Sequence, residues 1–432
     1  MKNIPRQKIH AGILYLLLFT LSTGSDILAV DLGPFSLYPL RLLLITASLW
    51  YVFLNVREKK VPFTGTDTWF LAVPLLMLLY GGVSLFLVSK PFEAVKELSN
   101  VALGASFLWV LKEAAIRSEK PFEKIWTGLA WGTAFTLIIA FLEVITRTHL
   151  PSPYSQKLQL YYDIHFVQLS PASTFGNPNH FGMFLSLGAF VWVYSMLKGY
   201  RRNVSGILFL LSFLALWLTL SKFNILIFIA LQLLLLFFFR ETIYQFFRPN
   251  KLKLAAVLIS TLGMAFVYYS KKNQVLQVRM ENVENLELKA GTGSGSVRYT
   301  LMIEGLEFAR KSNYLGIGPG QFVHYMKKYR KAKYTNGIVS PHFGAIEIFT
   351  QYGIGILLAW IAWGVWLLVR ILKNIRRKPS LWVMLLMLGS LPIIMMVNSS
   401  FLNSPVAWAY LAILNWLSGF ILNGHEPETQ NI

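Results

Sequence analysis

The sequence predicts an all-α polytopic membrane protein of about twelve transmembrane helices, with a large extracytoplasmic loop containing amphipathic helices. Three observations predict it. Of 432 residues, 55% are hydrophobic and 14% are charged, whereas a soluble domain carries about 25% charged residues. The apolar residues arrive in blocks close to the roughly 20 residues that a helix needs to span a bilayer core. Lysine and arginine alternate between rich and poor loops, as topology-setting charges do. An ordinary cytosolic enzyme, a disordered chain and a nucleic-acid-binding protein are excluded.

The predicted spans lie near 11–30, 37–54, 69–88, 94–111, 125–145, 181–197, 204–220, 223–239, 254–269, 346–369, 381–397 and 404–422. The first is interrupted by the polar Ser22 to Asp26 stretch, and the fourth contains Lys96 and Glu97. The first block lacks a small-residue cleavage site and eleven more follow it, so it reads as an anchor and not as a signal peptide. Twenty-two Lys and Arg residues fall in one set of loops, around Arg6, Arg57, Arg117, Arg201, Arg240 and Arg376. The short loops opposite carry four: Lys90, Arg147, Lys157 and Lys222. This asymmetry predicts a multi-pass membrane protein with both termini cytoplasmic. Most of the formal charge of +20 is then a topology signal and an attraction to anionic lipid, with no nucleic acid needed. The absence of cysteine excludes disulfides and thiolate chemistry and suits an oxidising exterior.

Residues 1–150 are expected to hold the first five helices, and 151–370 a core with outer loops at 146–180 and 270–345. Residues 371–432 hold the last two helices and a short cytoplasmic tail. The 270–345 loop carries twelve Lys/Arg against five Glu, a net +7. The positive-inside rule does not govern long loops, so the excess suits an anionic lipid headgroup or a polyanionic product. Val297, Leu301, Ile303, Leu306 and Phe308 predict an amphipathic helix over 297–312 on or just above the membrane. A flexible lead-in is expected at 290–296, a tight turn at Tyr314–Gly320 (YLGIGPG), and a basic, aromatic helix over Gln321–Tyr334. GIGPG follows a helix and not a strand, so a nucleotide loop fails on context and a turn is expected.

There is no HExxH, Walker A or paired-Asp motif, so neither metal nor cofactor is expected. Asn177, Asn179 and His180, in STFGNPNHFG, read as a turn and helix cap that can also order a pocket. Lys222, in a short Ser-Lys turn, can snorkel to water or hold a pyrophosphate headgroup. Arg298 and Arg310 offer planar forks matched to phosphate oxygens. His342 can exchange a proton near neutral pH, although a lone histidine is more often structural than catalytic. Arg41, Lys96, Glu97, Glu143 and Glu347 fall within spans, where charge is costly unless paired or facing a wet cavity. Glu347, five residues beyond His342, can orient pocket groups.

In order, FGNPNHFG at 175–182, the Ser-basic turn at 221–222, Arg298 followed by GIGPGQF, and His342 followed by Gly353 resemble the O-antigen ligase and polymerase family of membrane glycosyltransferases. The resemblance covers roughly 170–370; the first 150 residues match in topology alone. It implies metal-independent transfer of a glycan from an undecaprenyl-pyrophosphate carrier to a sugar hydroxyl, on the outer face of the membrane. Carried over, Lys222 and Arg298, with Arg310, would hold the pyrophosphate, and His342 would be the general base. The family turn normally reads Ser-Arg, so Lys222 replaces a fork with a point charge. Phe343 stands where Asn is common, and Gly353 and Gly355 are closer together than the family's glycine pair.

The implied activity is polymerisation of lipid-linked repeat units of a surface polysaccharide. The alternative is ligase-type transfer of a finished glycan to a lipid, wall or protein acceptor. The expected partners are the lipid-linked oligosaccharide, the glycan acceptor and membrane lipid, with a flippase or chain-length protein nearby. A transporter would place ionisable pairs at the midplane of two matching halves, a pattern this sequence lacks.

Overall fold

The computed structural model describes residues 6–25, 28–32, 35–59, 69–151, 170–219, 221–247, 294–329, 331, 335, 338–397 and 399–425. The predicted ninth span, 254–269, lies outside them. The described chain forms α1 (Arg6–Thr20), a hairpin of β1 (Val30–Leu32) and β2 (Phe35–Leu37), α2 (Pro39–Arg57), α3 (Trp69–Ser84), α4 (Pro91–Arg117) and α5 (Pro121–Thr146). It continues with α6 (Pro178–Leu197), α7 (Arg202–Thr219), α8 (Lys222–Phe247), α9 (Ser294–Lys311) and α10 (Phe322–Lys328). The last elements are α11 (Gly344–Asn374), α12 (Leu381–Gly389), α13 (Leu391–Val397) and α14 (Pro405–Leu422). Among the described residues, eight helices are long and apolar enough to cross a membrane: α2, α4, α5, α6, α7, α8, α11 and α14. This is a helical membrane protein.

Most of these helices keep one apolar face exposed, as Leu226, Leu233 and Phe237 do on α8 and Leu358 and Val365 do on α11. Such faces suit lipid tails. Helix α6 differs, because it is apolar all round and buried along nearly its whole length. It packs against α7, α8 and α14, and so forms the post around which the site is built.

Four local departures from the predicted pattern have physical causes. The first span stops as an α-helix at Thr20, where the Ser22 and Thr23 hydroxyls bond back to the Phe19 and Thr20 carbonyls. A short antiparallel hairpin follows, with Val30 opposite Leu37 and Leu32 opposite Phe35, so the fold is not purely α. The eleventh span is split into α12 and α13 at Gly389 and Ser390, next to Pro392, which has no backbone N–H to donate. In the 270–345 loop, α9 already begins at Ser294, inside the expected flexible lead-in, and α10 is shorter than the expected 321–334 helix.

The tenth span is broken at Gly353 (φ 81°, ψ 177°), and the glycine turn 316–320 fills the break. The Ile317 N–H donates to the Thr350 carbonyl at 2.8 Å and the Gly318 N–H to that of Gln351 at 3.0 Å, while the Ile354 N–H donates to the Tyr314 carbonyl at 2.9 Å. Backbone groups released by the kink are therefore satisfied by the turn. The turn is tight on both sides. A Cβ at Gly353 would lie 2.3 Å from the Leu315 carbonyl oxygen, and one at Gly320 would lie 2.4 Å from that of Glu93. Gln321 completes the dock on α4, donating to the Lys90 carbonyl at 2.9 Å and accepting from its N–H at 3.1 Å. GIGPGQF thus seats the outer segment on α4 and α11.

Candidate active site

The site grows from the start of α6. The Asn177 side chain caps that helix, accepting from the Asn179 N–H at 2.8 Å, with Pro178 at the first helical position. Asn179 then reaches across to the turn before α8, where the Ser221 hydroxyl donates to its side-chain oxygen at 2.9 Å. Asn224, one turn into α8, donates to the Ser221 hydroxyl at 2.9 Å and to the Asn179 carbonyl at 3.3 Å, and accepts from the Ser186 hydroxyl at 3.1 Å. Gly182 permits this approach, since a Cβ there would stand 2.7 Å from the Asn224 amide nitrogen. The FGNPNHFG segment and the Ser-Lys turn are one hydrogen-bonded unit.

Helix α9 brings Arg298 over this unit, with its guanidinium carbon 5.4 Å from the centre of the Phe223 ring. The helix is set down on α11 at Gly305, where a Cβ would meet Ile346 at 2.5 Å and whose carbonyl accepts from the Thr350 hydroxyl at 3.1 Å. Arg298 is partly buried, and burial lowers its pKa from the ordinary arginine value. Among the described residues no carboxylate forms an ion pair with it. Glu304 and Glu307 of the same helix are taken by Lys331 (3.0 Å) and Lys311 (2.7 Å).

His342 precedes α11 in the left-handed backbone region, with φ 49°. Histidine is among the non-glycine residues that tolerate this region, and strain held at such a residue is common at functional sites. Its N–H donates to the Ser399 carbonyl at 3.0 Å. Its ring Nδ1 is buried with no hydrogen-bond partner. Burial, followed by the charges of Arg298 and His180, lowers the imidazole pKa from 6.5 to about 4. The ring is therefore neutral across the physiological range, and Arg298, His180 and His342 share one electrostatic environment.

The remaining predicted residues sort by position. Lys222 is the exposed first residue of α8, beside Phe223. Arg310 is exposed and lies twelve residues beyond Arg298, about 18 Å along the helix and a third of a turn around it. The structure does not bring it to the His342 group. Glu347 is buried and accepts from the Ser400 hydroxyl, from the Phe401 N–H at 2.7 Å and from the Leu402 N–H at 3.4 Å. It holds the turn that carries Ser399 and does not bond the histidine. Glu143 and Glu97 also have partners. Glu143 accepts from the Leu150 (3.4 Å), Ala172 (2.9 Å) and Ser173 (2.8 Å) N–H groups, clasping both described ends of the 146–180 loop. Glu97 accepts from the Tyr352 hydroxyl at 3.0 Å.

Residues 207–361 match the family described as O-antigen ligase. The matched stretch runs from α7 to the middle of α11 and contains Lys222, Arg298 and His342, whereas Asn177, Asn179 and His180 lie before it. Over 392 residues the chain is 26% identical to the teichuronic acid biosynthesis protein TuaE of Bacillus subtilis (strain 168). The match covers 86% of this chain and 75% of that protein. Asn224 and the 399–402 turn escaped the sequence reading. Asn224 left a signal, as a polar residue in an otherwise apolar span. The turn left none, because its role is made by backbone groups.

Proposed function

We propose that this chain is a glycosyltransferase that polymerises undecaprenyl-pyrophosphate-linked repeat units of a cell-surface polysaccharide, at the extracytoplasmic end of the bundle. The observation that carries the reading is a neutral His342 within the electrostatic reach of an Arg298 that has no carboxylate partner among the described residues, in the stretch that matches the O-antigen ligase family. A cation without an internal counter-charge suits an anionic ligand. Pyrophosphate oxygens match the guanidinium fork, and the exposed Lys222 at the mouth adds a second charge. In the reaction the acceptor hydroxyl attacks the anomeric carbon of the donor. His342 takes the hydroxyl proton, the new glycosidic bond forms, the bond to the pyrophosphate oxygen breaks, and the carrier pyrophosphate departs against Arg298. Stabilising the charge on that leaving group is the larger contribution. Chemistry at this site needs no metal, and the donor's own bond energy drives transfer.

The pKa of the empty site fits this order of events. A base near 4 is weak for a sugar hydroxyl, since catalytic pKa values work best near the operating pH. The arriving pyrophosphate offsets the positive field of Arg298 and His180, which raises the basicity of His342 when donor is bound. Teichuronic acid synthesis by the TuaE relative favours an acidic, uronate-containing wall polymer as the product class.

Purified protein in lipid nanodiscs, given undecaprenyl-pyrophosphate-linked oligosaccharide, is expected to yield longer glycans and free carrier pyrophosphate in equal amounts. Passage of the lipid-linked donor across a vesicle membrane without any covalent product would overturn the enzyme reading. Transfer to a lipid or wall acceptor, with no growth of the donor glycan, would establish the ligase alternative.

A further inference from the structure

The helices before residue 150 have no part in the O-antigen ligase match, yet a chain of polar side chains joins them to the His342 turn. Arg41 of α2 donates to the Ser36 carbonyl at 2.6 Å and to the Asn100 side-chain oxygen at 2.6 Å. The Asn100 amide nitrogen, on α4, donates to the Asn403 side-chain oxygen at 2.7 Å. The Asn403 N–H donates to the Ser400 hydroxyl at 3.2 Å, and that hydroxyl donates to Glu347. Ser399, next in the same turn, accepts from the His342 N–H.

The direction of this chain is set by chemistry. A guanidinium has donors and no acceptor. Asn100 must therefore turn its oxygen to Arg41 and its nitrogen to Asn403, and Asn403 must accept with its oxygen. The Asn403 NH2 group is left over. It belongs to an exposed side chain and has no hydrogen-bond partner among the described residues. Two N–H donors, orientated through Asn100, 303 residues away, and Arg41, a further 59 residues away, are thus presented beside the turn that bonds the His342 backbone.

We propose that Asn403 is a substrate-contact residue, donating to a hydroxyl or carboxylate oxygen of the acceptor sugar, and that Arg41 and Asn100 are its positioning residues. The assignment rests on the reading of His342 as the site of glycosyl transfer. It gives the N-terminal helices a role in acceptor selection. A side chain whose free end can only donate favours an acceptor sugar that presents oxygen lone pairs, and a uronate offers more of them, with charge, than a neutral hexose.

Asn403→Asp separates the two ends of this side chain. It keeps an oxygen for Asn100 and replaces the outward donors with a second oxygen. Binding of a uronic-acid tetrasaccharide and of a neutral maltotetraose to the full-length protein in nanodiscs, measured by calorimetry without donor, tests the contact apart from turnover. The expected result is about tenfold weaker uronate binding by Asn403→Asp, and a smaller loss for maltotetraose, as the loss of charged hydrogen bonds and a new like-charge contact require. Arg41→Ala should weaken binding of both by about threefold, by freeing Asn100 to flip. His342→Ala should form no product while keeping the preference for uronate over maltotetraose. Equal affinity in wild type and Asn403→Asp, or no binding of either sugar by the wild type, would overturn the contact. Should Asn403→Asp not fold, Asn403→Ser, which removes the same donors, is held to the same outcomes. Failed turnover with intact, Asn403-dependent binding would instead count against the transferase reading.

Discussion

At the end of α4, Arg117 is surrounded by acceptors: Glu58 at 2.8 Å, Glu113 at 3.1 Å and Asn55 at 2.6 Å. At the other end of the bundle, Arg298 meets the face of Phe223, its charge lowers the pKa of His342, and the acids on its own helix are bound to lysines. Both arginines are partly buried. The first is balanced within the chain, so its charge serves packing between α2 and α4. The second is left with donors to spare, so an anion from outside can complete it. What separates a structural cation from a binding one here is the absence of an internal partner, which charge counts along the sequence do not register.

The comparison can be broken by exchanging the roles. Arg298→Ala should lower product formation by about 10²- to 10³-fold, the usual cost of one donor to a developing anion, with little change in thermal stability. His342→Ala should cost about 10²- to 10⁴-fold. Arg117→Ala should do the reverse, lowering stability by roughly 1–3 kcal/mol through stranded hydrogen-bond partners, with turnover per folded molecule kept. Denaturation in detergent against turnover in the same samples reads both.

The pH dependence sharpens it further. Because burial, Arg298 and His180 depress the His342 pKa to about 4, the base is neutral and active above that value and lost as pH falls through it. The acid limb of kcat/KM, which reports the free enzyme, should lie near pH 4. The limb of kcat should lie higher, because bound pyrophosphate offsets the two cations. Coincident limbs would mean that no anion sits beside His342. The smallest effect is expected at the exposed Lys222. There, Lys222→Arg should tighten donor KM by no more than about threefold, since a fork gains little where water competes.

The spans were legible because membrane helices must be apolar over a fixed length, and the site motifs because their residue types are unusual at span ends. Arg298, His342 and the Asn177–His180 segment could thus be named from sequence and are gathered at one end of the bundle. Arg310 was grouped with Arg298 by residue type, and it lies twelve residues further along α9. Glu347 was read as able to orient pocket groups, and its carboxylate accepts from the backbone N–H groups of Phe401 and Leu402. The hairpin and the filling of the Gly353 kink by the 316–320 turn were hidden, since they depend on backbone hydrogen bonds between segments far apart in sequence.

Single-turnover transfer from an undecaprenyl-pyrophosphate-linked oligosaccharide, run in parallel on wild type, Arg298→Ala, His342→Ala and Arg117→Ala in nanodiscs, bears most directly on the central claim. Elongated glycan with released carrier pyrophosphate is expected from wild type and Arg117→Ala, and a loss of at least about 100-fold from the other two. Wild-type transfer rates in Arg298→Ala and His342→Ala would contradict the assignment of this end of the bundle as the catalytic site.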